Sequence, residues 1–576
     1  MSLRQLVARS LWFYWRTNAA VLLAVVVATG TLTGAMAVGD SVRYTLRRTQ
    51  EARLGRTEFA IVPQDRYFRS ALADDLAKEV GGLVAPVLQV PGILTNDDGS
   101  RRINRVEALG VDDRFYEIGD ATGPIAASQT DTIVIGEAVA ERLGVSVGDE
   151  VVLRIEKPGL MPRDVPLASD VDRTAAFRLQ VRAIAGDSAF GRFDLRANQT
   201  APLNVFVPLA WLGEQIEQPG RANILLAAEL DKIVTAEQLN VSLQGCWKLA
   251  DADLELRRLD ATDTLELRSR RIFIEKDIGV EALKAADGAT GILTYFVNAI
   301  RLGEKATPYS MVAAVGSDPG AGSLLRPGMG TDEIVINQWL ADDLGATVGD
   351  SVELVYYLVG PMRQLYERTS AFRIAAIVPL EGAAVDPNLM PDFPGLADVE
   401  NCRDWKAGIP VDLDKIRPKD EAYWDAYRGT PKAFIPLSTG QALWGNRYGN
   451  LTAVRYPWHA GLENQIAADL TAKVDPATVG LFFQPVQLRG LKARRDGTDF
   501  GQLFLGLSMF LIASAVILTG LLFVFGVESR CEQVGLLLAV GLPAARVKRL
   551  LVAEGGLVAL AGAVVGVGVG LLYTRL

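Results

Sequence analysis

Long uncharged apolar runs and one long mixed region alternate along this chain. Residues 19–39 form a run of 21 residues without a charge, and two further apolar runs cover 501–527 and 550–573. About 20 apolar residues cross the roughly 30 Å hydrocarbon layer of a bilayer, so each run predicts a transmembrane helix. The pattern therefore predicts a membrane protein with a leader at 1–18, three spans, and a large domain at 40–500.

The first apolar run has a second interpretation. Ala35, Met36 and Ala37 resemble the small-residue site at which a secretory signal peptide is cleaved. The run is longer than the apolar core of a typical signal peptide, and its charged leader is also long. We therefore expect residues 19–39 to remain in the protein as an anchor.

Basic residues predict the orientation of the spans. Short loops rich in Lys and Arg lie on the cytoplasmic side of a membrane, whereas long domains cross regardless of charge. The leader and the segment 528–549 share seven such residues, Arg4, Arg9, Arg16, Arg530, Arg546, Lys548 and Arg549. Only Arg575 follows the third span. Basic residues beside the spans at the other end, such as Arg43 and Arg495, weaken this signal without reversing it.

This distribution of charge places residues 1–18 and 528–549 in the cytoplasm and residues 40–500 outside it. We therefore expect a multi-pass protein of the cell (inner) membrane with a large extracytoplasmic domain.

The large domain contains an internal repeat. Residues 130–153 and 331–354 align without a gap and share 13 identities in 24 positions. The tetrapeptide Gly-Ile-Leu-Thr occurs at 92–95 and again at 291–294. A third match, Phe-Val-Pro-Leu at 206–209 with Phe-Ile-Pro-Leu at 434–437, follows in the same order but at a larger offset. The order of the matches indicates duplication.

The matches predict two diverged copies of one mixed α/β module, at 40–245 and 246–500. The larger offset of the third match indicates about 27 extra residues in the second copy. We expect this insertion near 380–430, where the chain is rich in proline.

Each repeated segment has a clear local pattern. Thr132–Ile135 is a β-branched strand, and Glu137–Arg142 predicts a helix of one to two turns. Gly144 stands where a helix ends with positive φ, and Gly148 with Asp149 predicts a tight turn before the next strand. Gly148 and Asp149 recur in the second copy, at 349–350, so a ligand loop is an alternative, but a turn is the favoured interpretation.

A helical stalk is expected to continue the first span from residue 41 to a stop at Gly55. Arg43, Arg47 and Glu51 lie on one face at helical spacing, which is typical of a solvated helix. The alternative is that these basic residues contact lipid headgroups.

Composition and motifs exclude several functions. The net charge of −9 argues against nucleic-acid binding. No Gly-Lys dipeptide occurs, so the chain has no Walker-type phosphate loop, and the single histidine, His459, rules out a multi-histidine metal site. Cys246 and Cys402 could pair in an oxidising compartment, a question that their spacing leaves open. We therefore expect no catalytic residues, no metal and no bound cofactor in this chain.

The segment after the second span has a helix-break-helix pattern. Val534, Leu537, Leu538 and Leu542 form an apolar stripe at helical spacing. Gly541 can end this helix, and Pro543 can begin another helix at its first turn. Such an element could lie at the membrane surface or dock into the groove of a partner.

This stretch resembles the FtsX/MacB-like family of ABC-transporter permeases. The resemblance is carried by Glu528, Arg530, Glu532, Gly535, Leu536, Leu537, Ala539, Gly541, Val547, Leu550 and Glu554, followed by spaced glycines. The N-terminal anchor, the long outer domain and the strand pattern of the repeated segment are also similar to that family.

The resemblance implies a partner and a mechanism. A separate cytoplasmic ABC ATPase would bind ATP and contact the segment 528–549, and the permeases would act as homodimers or heterodimers. The ATPase-coupling residues would be Glu528, Arg530, Glu532, Gly535, Leu536, Leu537, Ala539, Gly541 and Glu554. ATP-driven movement would pass through the helices to the outer domain, which would act on a lipophilic, lipoprotein, peptide or envelope partner. This mode of action is mechanotransmission.

Several alternatives stay open at this point. Glu554 could instead be an acid placed in the first turn of the third span by the helix dipole. Gly562, Gly566 and Gly570 recur at every fourth position, which predicts a packing face, but glycine is common in membrane helices generally. The family has a fourth span, so we expect this chain to be a fragment or half of a longer permease. A membrane-anchored sensor without ATP coupling and an extracytoplasmic enzyme are the competing functions.

Overall fold

The computed structural model describes residues 3–63, 65–121, 131–159, 174–196, 200–228, 230, 235–316, 324–360, 364–397, 399–406, 408–489 and 500–574. The chain divides into two compact units. The helical unit comprises Met1–Leu54, Leu195–Ala197 and Gln487–Leu576, and the β unit comprises Gly55–Asp194 and Asn198–Val486.

The chain begins with two helices, α1 (Leu3–Phe13) and α2 (Trp15–Leu54). α2 is a single helix of 40 residues, and at 1.5 Å per residue it is about 60 Å long, roughly twice the thickness of a hydrocarbon core. Gly55 follows it with φ +52°, a conformation that ends a helix readily in glycine. The prediction that the first span continues as a helix to a stop at Gly55 is confirmed.

The described residues of the first half of the β unit form ten strands and five helices. The strands are β1 (Thr57–Ile61), β2 (Phe68–Arg69), β3 (Leu83–Asn96), β4 (Arg102–Val111), β5 (Thr132–Gly136), β6 (Glu150–Glu156), β7 (Thr174–Ala185), β8 (Asn204–Pro208), β9 (Arg221–Ala222) and β10 (Ile224–Ala228). The helices are α3 (Leu72–Val80), α4 (Asp113–Ile118), α5 (Glu137–Leu143), α6 (Leu209–Gln215) and α7 (Ala236–Cys246).

The second half contains nine strands and five helices among its described residues. The strands are β11 (Leu254–Leu259), β12 (Thr264–Ser269), β13 (Thr290–Leu302), β14 (Lys305–Val315), β15 (Glu333–Asn337), β16 (Ser351–Val359), β17 (Leu365–Val378), β18 (Ala433–Pro436) and β19 (Ala453–Pro457). The helices are α8 (Lys276–Lys284), α9 (Gln338–Leu344), α10 (Pro418–Tyr427), α11 (Leu437–Trp444) and α12 (Leu462–Lys473).

Each half closes into a six-stranded barrel. The first sheet has the order β1-β10-β3-β4-β8-β5-β7-β6, and β6 pairs back onto β3. The second sheet has the order β11-β12-β19-β13-β14-β18-β15-β17-β16, and β16 pairs back onto β13. Closure removes the free edges of the six strands, so their backbone groups are paired on both sides.

The local predictions for the repeated segment are confirmed. β5, α5 and β6 follow one another, with Gly144 at φ +66° and Gly148 at φ +98° between the helix and the second strand. Asp149 Oδ2 accepts a hydrogen bond from Ser146 N at 2.7 Å, and Asp350 Oδ2 accepts one from Thr347 N at the same distance. Each aspartate therefore serves its own turn.

The connection between β17 and β18 is much longer than the one between β7 and β8. It covers residues 379–432, compared with 186–203 in the first barrel, and includes α10. Phe393, Trp405 and Trp424 of this connection are buried against side chains of the second barrel. This segment thus adds a layer to the second barrel alone.

One hydrophobic core joins the two halves. Phe59 and Leu225 from the first half pack in one cluster with Leu265, Tyr456 and Ile466 from the second. The chain also enters and leaves this unit side by side. Ala60 and Gln484 exchange two backbone hydrogen bonds of 3.0 and 2.9 Å.

The last three described helices are α13 (Phe500–Glu528), α14 (Cys531–Ala539) and α15 (Ala544–Tyr573). Trp15–Ser41, Ser508–Glu528 and Ala544–Tyr573 are the described segments that are long and apolar enough to cross a membrane. Many of their large apolar side chains, such as Leu511, Phe525 and Val564, are more than 60% exposed, as expected for surfaces that face lipid.

The start of the third span differs from the prediction. The helix begins at Ala544 rather than at residue 550, and Pro543 is its N-cap rather than part of its first turn. Glu554 is therefore the eleventh residue of the helix. The interpretation of Glu554 as a first-turn acid favoured by the helix dipole is wrong, because that effect fades within the first turn.

Candidate functional site

The segment between the second and third spans is a short exposed helix held between two breaks. We call residues 529–543 the coupling element. It contains α14, which has no buried residue, followed by Gly541 at φ +92° and by Pro543. Leu536 is 66% exposed and Val540 is 75% exposed. Exposed apolar side chains on a short polar-flanked helix are typical of a docking surface.

The structure divides the residues that the resemblance marks for coupling. Six are exposed on or beside the coupling element: Glu528, Glu532, Gly535, Leu536, Ala539 and Gly541. Leu537 is partly buried, as are Val534 and Leu542 of the predicted stripe, whereas Leu538 is exposed. Arg530 and Glu554 are buried. The exposed group is accessible to a partner protein, whereas the two buried residues are not.

Arg530 and Glu554 form an ion pair inside the helical unit. Arg530 Nη1 donates to Glu554 Oε1 at 2.9 Å, and the two side chains are 8% and 4% exposed. Ser10 Oγ of α1 donates to the Glu554 carboxylate, with both oxygens at 3.0 Å. The guanidinium carbon of Arg530 lies 3.6 Å from the centre of the Tyr14 ring. We call Ser10, Tyr14, Arg530 and Glu554 the inner cluster.

Sequence reasoning missed Ser10 and Tyr14. They lie about 520 to 540 residues from their partners, and a serine and a tyrosine in a leader carry no distinguishing pattern. The available signal was Glu554 itself, because an ionisable residue within a span needs a partner of opposite charge or a hydrogen-bond donor.

The three predicted packing glycines lie against α2. A Cβ atom added at Gly562 would lie 2.9 Å from Val25 Cβ, and one at Gly566 would lie 2.8 Å from both Thr29 Cβ and Val26 O. One added at Gly570 would lie 2.9 Å from Gly30 O. The two helices therefore approach so closely that only glycine fits at these positions, which is how small residues hold helices together in lipid.

The second span contacts the other two through further glycines. A Cβ atom at Gly526 would lie 3.2 Å from Thr17 Cγ2 of α2. One at Gly555 of α15 would collide with the ring of Phe523. The helical unit is therefore a packed bundle in which α2 contacts both other spans.

The described residues offer no group of three His, Cys, Asp or Glu side chains that could hold a metal ion. Cys246 and Cys402 are free thiols, and His459 is exposed. Residues 144–148 spell the Gly-x-Ser-x-Gly pattern of a hydrolase nucleophile elbow. They connect a helix to a strand, however, and the elbow requires a strand followed by a helix.

These features define an integral membrane protein that carries a large α/β domain and an exposed helix between its second and third spans. Two family models match the chain. The MacB-like periplasmic core domain matches residues 19–245, and the FtsX-like permease C-terminal domain matches residues 505–576. Together they cover just over half of the chain. The chain belongs to the FtsX/MacB-like family of ABC-transporter permeases.

The family assignment indicates an inner-membrane protein with an extracytoplasmic domain and a cytoplasmic ATPase partner. Permeases of this family are generally not enzymes themselves. No curated protein matches the chain.

Three solved structures overlap about a third of the chain. The periplasmic region of MacB from Actinobacillus actinomycetemcomitans is 13% identical, with 34% of this chain and 84% of that chain covered and a TM-score of 0.23. The extracellular domain of the transporter YknZ from Gram-positive bacteria is 12% identical, with 32% and 87% covered and a TM-score of 0.21. A domain of a putative permease from Porphyromonas gingivalis is 15% identical, with 34% and 83% covered and a TM-score of 0.22.

Proposed function

We propose that this chain is the membrane subunit of an ABC transporter that works by mechanotransmission. The observation that carries the proposal is the exposed coupling element, which lies within the FtsX-like match and between two packed spans. An ATPase that grips this element would move it when ATP is bound and hydrolysed. The ATP would be held by that partner, so this chain would need no cofactor of its own.

The movement would reach the β unit through continuous helix. α2 packs along α15 and then continues without a break to Leu54, one residue before the β unit begins. α2 contains no proline, the commonest cause of a sharp kink, so a displacement of one part of the helix would be passed along it. The β unit would then act on a lipophilic, lipoprotein, peptide or envelope partner, and no path through the membrane would be needed.

The two halves of the β unit are proposed to be diverged copies of one module. Their barrels have the same strand order, and in both the β4–β8 and β14–β18 pairs are parallel. A basic side chain stands against the glycine that ends the equivalent helix in each half, Arg101 at Gly144 and Lys305 at Gly345. Cations are favourable at helix C-termini. The sequence repeats and these shared details support one ancestral unit.

Loss of ATPase binding is expected when an acidic side chain replaces Leu536. This leucine is 66% exposed on α14, and a buried charge in the apolar centre of an interface lacks a partner. A residue that anchors the centre of an interface contributes about 2 kcal/mol or more to the binding free energy. Leu536→Asp should therefore weaken ATPase binding about 30-fold. Binding is measured by co-purification and titration of the cytoplasmic ATPase with the full chain in detergent.

The matched control for this test is Val348→Asp. Val348 is 60% exposed but belongs to a turn of the β unit, so its substitution should leave ATPase binding unchanged. If no ATPase co-purifies with the native chain, the transporter proposal fails and a membrane-anchored sensor becomes the better interpretation. If the native protein and Leu536→Asp bind the ATPase equally well, the coupling element is not part of the contact with the ATPase.

The proposed orientation is tested by labelling the native thiols. Cys531 is exposed on the coupling element, whereas Cys402 is buried and Cys246 is partly buried. Burial raises the pKa of the Cys246 thiol to about 11, so at neutral pH its reactive thiolate is scarcer than that of an ordinary cysteine. A membrane-impermeant maleimide should therefore label Cys531 in inverted vesicles and leave it unlabelled in intact cells. Labelling of Cys531 from outside would contradict the orientation.

A further inference from the structure

The inner cluster joins three segments that are far apart in the chain. Ser10 and Tyr14 belong to the N-terminal segment, Arg530 follows the second span, and Glu554 belongs to the third. Ser10 Oγ lies 3.0 Å from each oxygen of Glu554 and 3.4 Å from Arg530 Nη1. The N-terminal segment therefore contacts both charges of the ion pair.

Because the inner cluster is buried, separating its two charges would be costly. An isolated charge is costly to bury, and a buried ion pair that loses one partner is strongly destabilising. Arg530 Nε has no hydrogen-bond partner among the described residues, so the guanidinium depends on Glu554, Ser10 and the Tyr14 ring. Arg530 can therefore move only together with these groups, or at the cost of separating from them.

Arg530 lies near the N-terminal end of the coupling element. It is the N-cap of α14, and its carbonyl oxygen accepts a hydrogen bond from Val534 N at 3.0 Å. Tyr14 stands between α1 and α2, next to Trp15, the first residue of the long helix. The N-terminal end of α14 and the N-terminal end of α2 therefore meet in one buried cluster.

We propose that Ser10 and Tyr14 are positioning residues that latch the coupling element to the first span through the Arg530–Glu554 pair. The N-terminal segment would then belong to the coupling machinery rather than serve as a leader alone. When the coupling element moves, the latch carries the displacement to α2. This inference rests on the proposed function for its purpose, but its geometry can be tested without an ATPase.

The latch is tested with a nitroxide label on the native thiol of Cys531, in the full chain in lipid vesicles without ATPase. Tyr14→Leu keeps an apolar side chain but removes the aromatic face under Arg530. It should raise the ratio of mobile to ordered label about tenfold, as expected for loss of a desolvated cation–π contact. Tyr14→Phe keeps the ring and should behave as the native chain.

Ser10→Ala is the second test, with Thr31→Ala as its matched control. The Thr31 hydroxyl donates to Val27 O of its own helix, at 2.8 Å, so its loss removes a hydrogen bond within one helix rather than between helices. We expect Ser10→Ala to mobilise the label at Cys531 and Thr31→Ala to leave it unchanged. These substitutions retain both charges of the ion pair and leave the packing glycines unchanged, so the bundle is expected to fold. The yield of membrane-inserted protein would verify this.

The second readout is stimulation of the partner ATPase. Tyr14→Leu should retain ATPase binding and lose most of the stimulation, and Tyr14→Phe should rescue it. If the Cys531 label is equally ordered in Tyr14→Leu, Ser10→Ala and native protein, the latch is overturned whatever the ATPase does. If the label is mobilised but no ATPase binds any form of the chain, the latch stands and the proposed transporter function fails.

Discussion

Replacement of Gly566 by leucine is expected to prevent the three spans from forming a stable bundle. A Cβ atom at this position would already lie 2.8 Å from Thr29 Cβ and from the backbone oxygen of Val26. A backbone atom cannot move aside as the end of a side chain can, so α2 and α15 would have to separate. Overpacking of a buried site usually costs about 1–3 kcal/mol, and contact with backbone places this substitution at or above the upper end.

Gly568→Leu is the matched control for this prediction. Gly568 lies on the same helix two residues away, and a Cβ atom there would meet nothing within 4 Å. The measurement is the midpoint of thermal unfolding of the full chain in detergent, together with the yield of folded protein from membranes. An equal loss of stability in both variants would mean that leucine is destabilising anywhere in α15. The close contact at Gly566 would then not be the cause.

The second large effect is expected from Asp251→Ala in the β unit. Asp251 is fully buried, and its carboxylate accepts hydrogen bonds from Arg69 Nε at 2.9 Å, Arg69 Nη2 at 2.8 Å and two backbone N–H groups. Arg69 belongs to the first half of the unit and Asp251 to the second. Breaking a buried, hydrogen-bonded ion pair costs about 3–5 kcal/mol. The Arg69 side chain is 21% exposed and keeps Asp75 Oδ2 at 3.2 Å, so the free energy of unfolding should fall by about 3 kcal/mol, the lower end of that range.

Asp260→Ala provides the comparison. Asp260 is paired with Arg258 at 2.9 Å, but its side chain is 85% exposed, so the pair is screened by water. The measurement is denaturant unfolding of the full chain in detergent, followed by tryptophan fluorescence. A small effect of Asp251→Ala, similar to that of Asp260→Ala, would show that the shared apolar core alone holds the two halves together.

Local features of this fold were predictable because they depend on neighbours in the chain. The apolar runs predicted the three spans, and Gly55 marked the end of the stalk. The strand, helix and turn of residues 132–153 followed from β-branched residues and from glycines at positions of positive φ. These signals lie within a few residues of the structure that they determine.

Pairings between distant segments were not predictable from one sequence. Nothing in the strand patterns states that β6 returns to β3 to close a barrel, because each strand could satisfy its backbone with any other strand. The pairing of Arg530 with Glu554 was not predictable for the same reason. The resemblance assigned both residues to ATPase coupling, but it did not state that they are buried against each other.

The short pairing of Ala60 with Gln484 has a consequence for how this protein could have evolved. An inserted segment whose two ends are neighbours can be exchanged without altering the distance that its host must span. The host here is a pair of helices, and the inserted segment is the whole β unit. Lineages could therefore exchange one β unit for another without a change in the helical unit, so the two units could diversify at different rates.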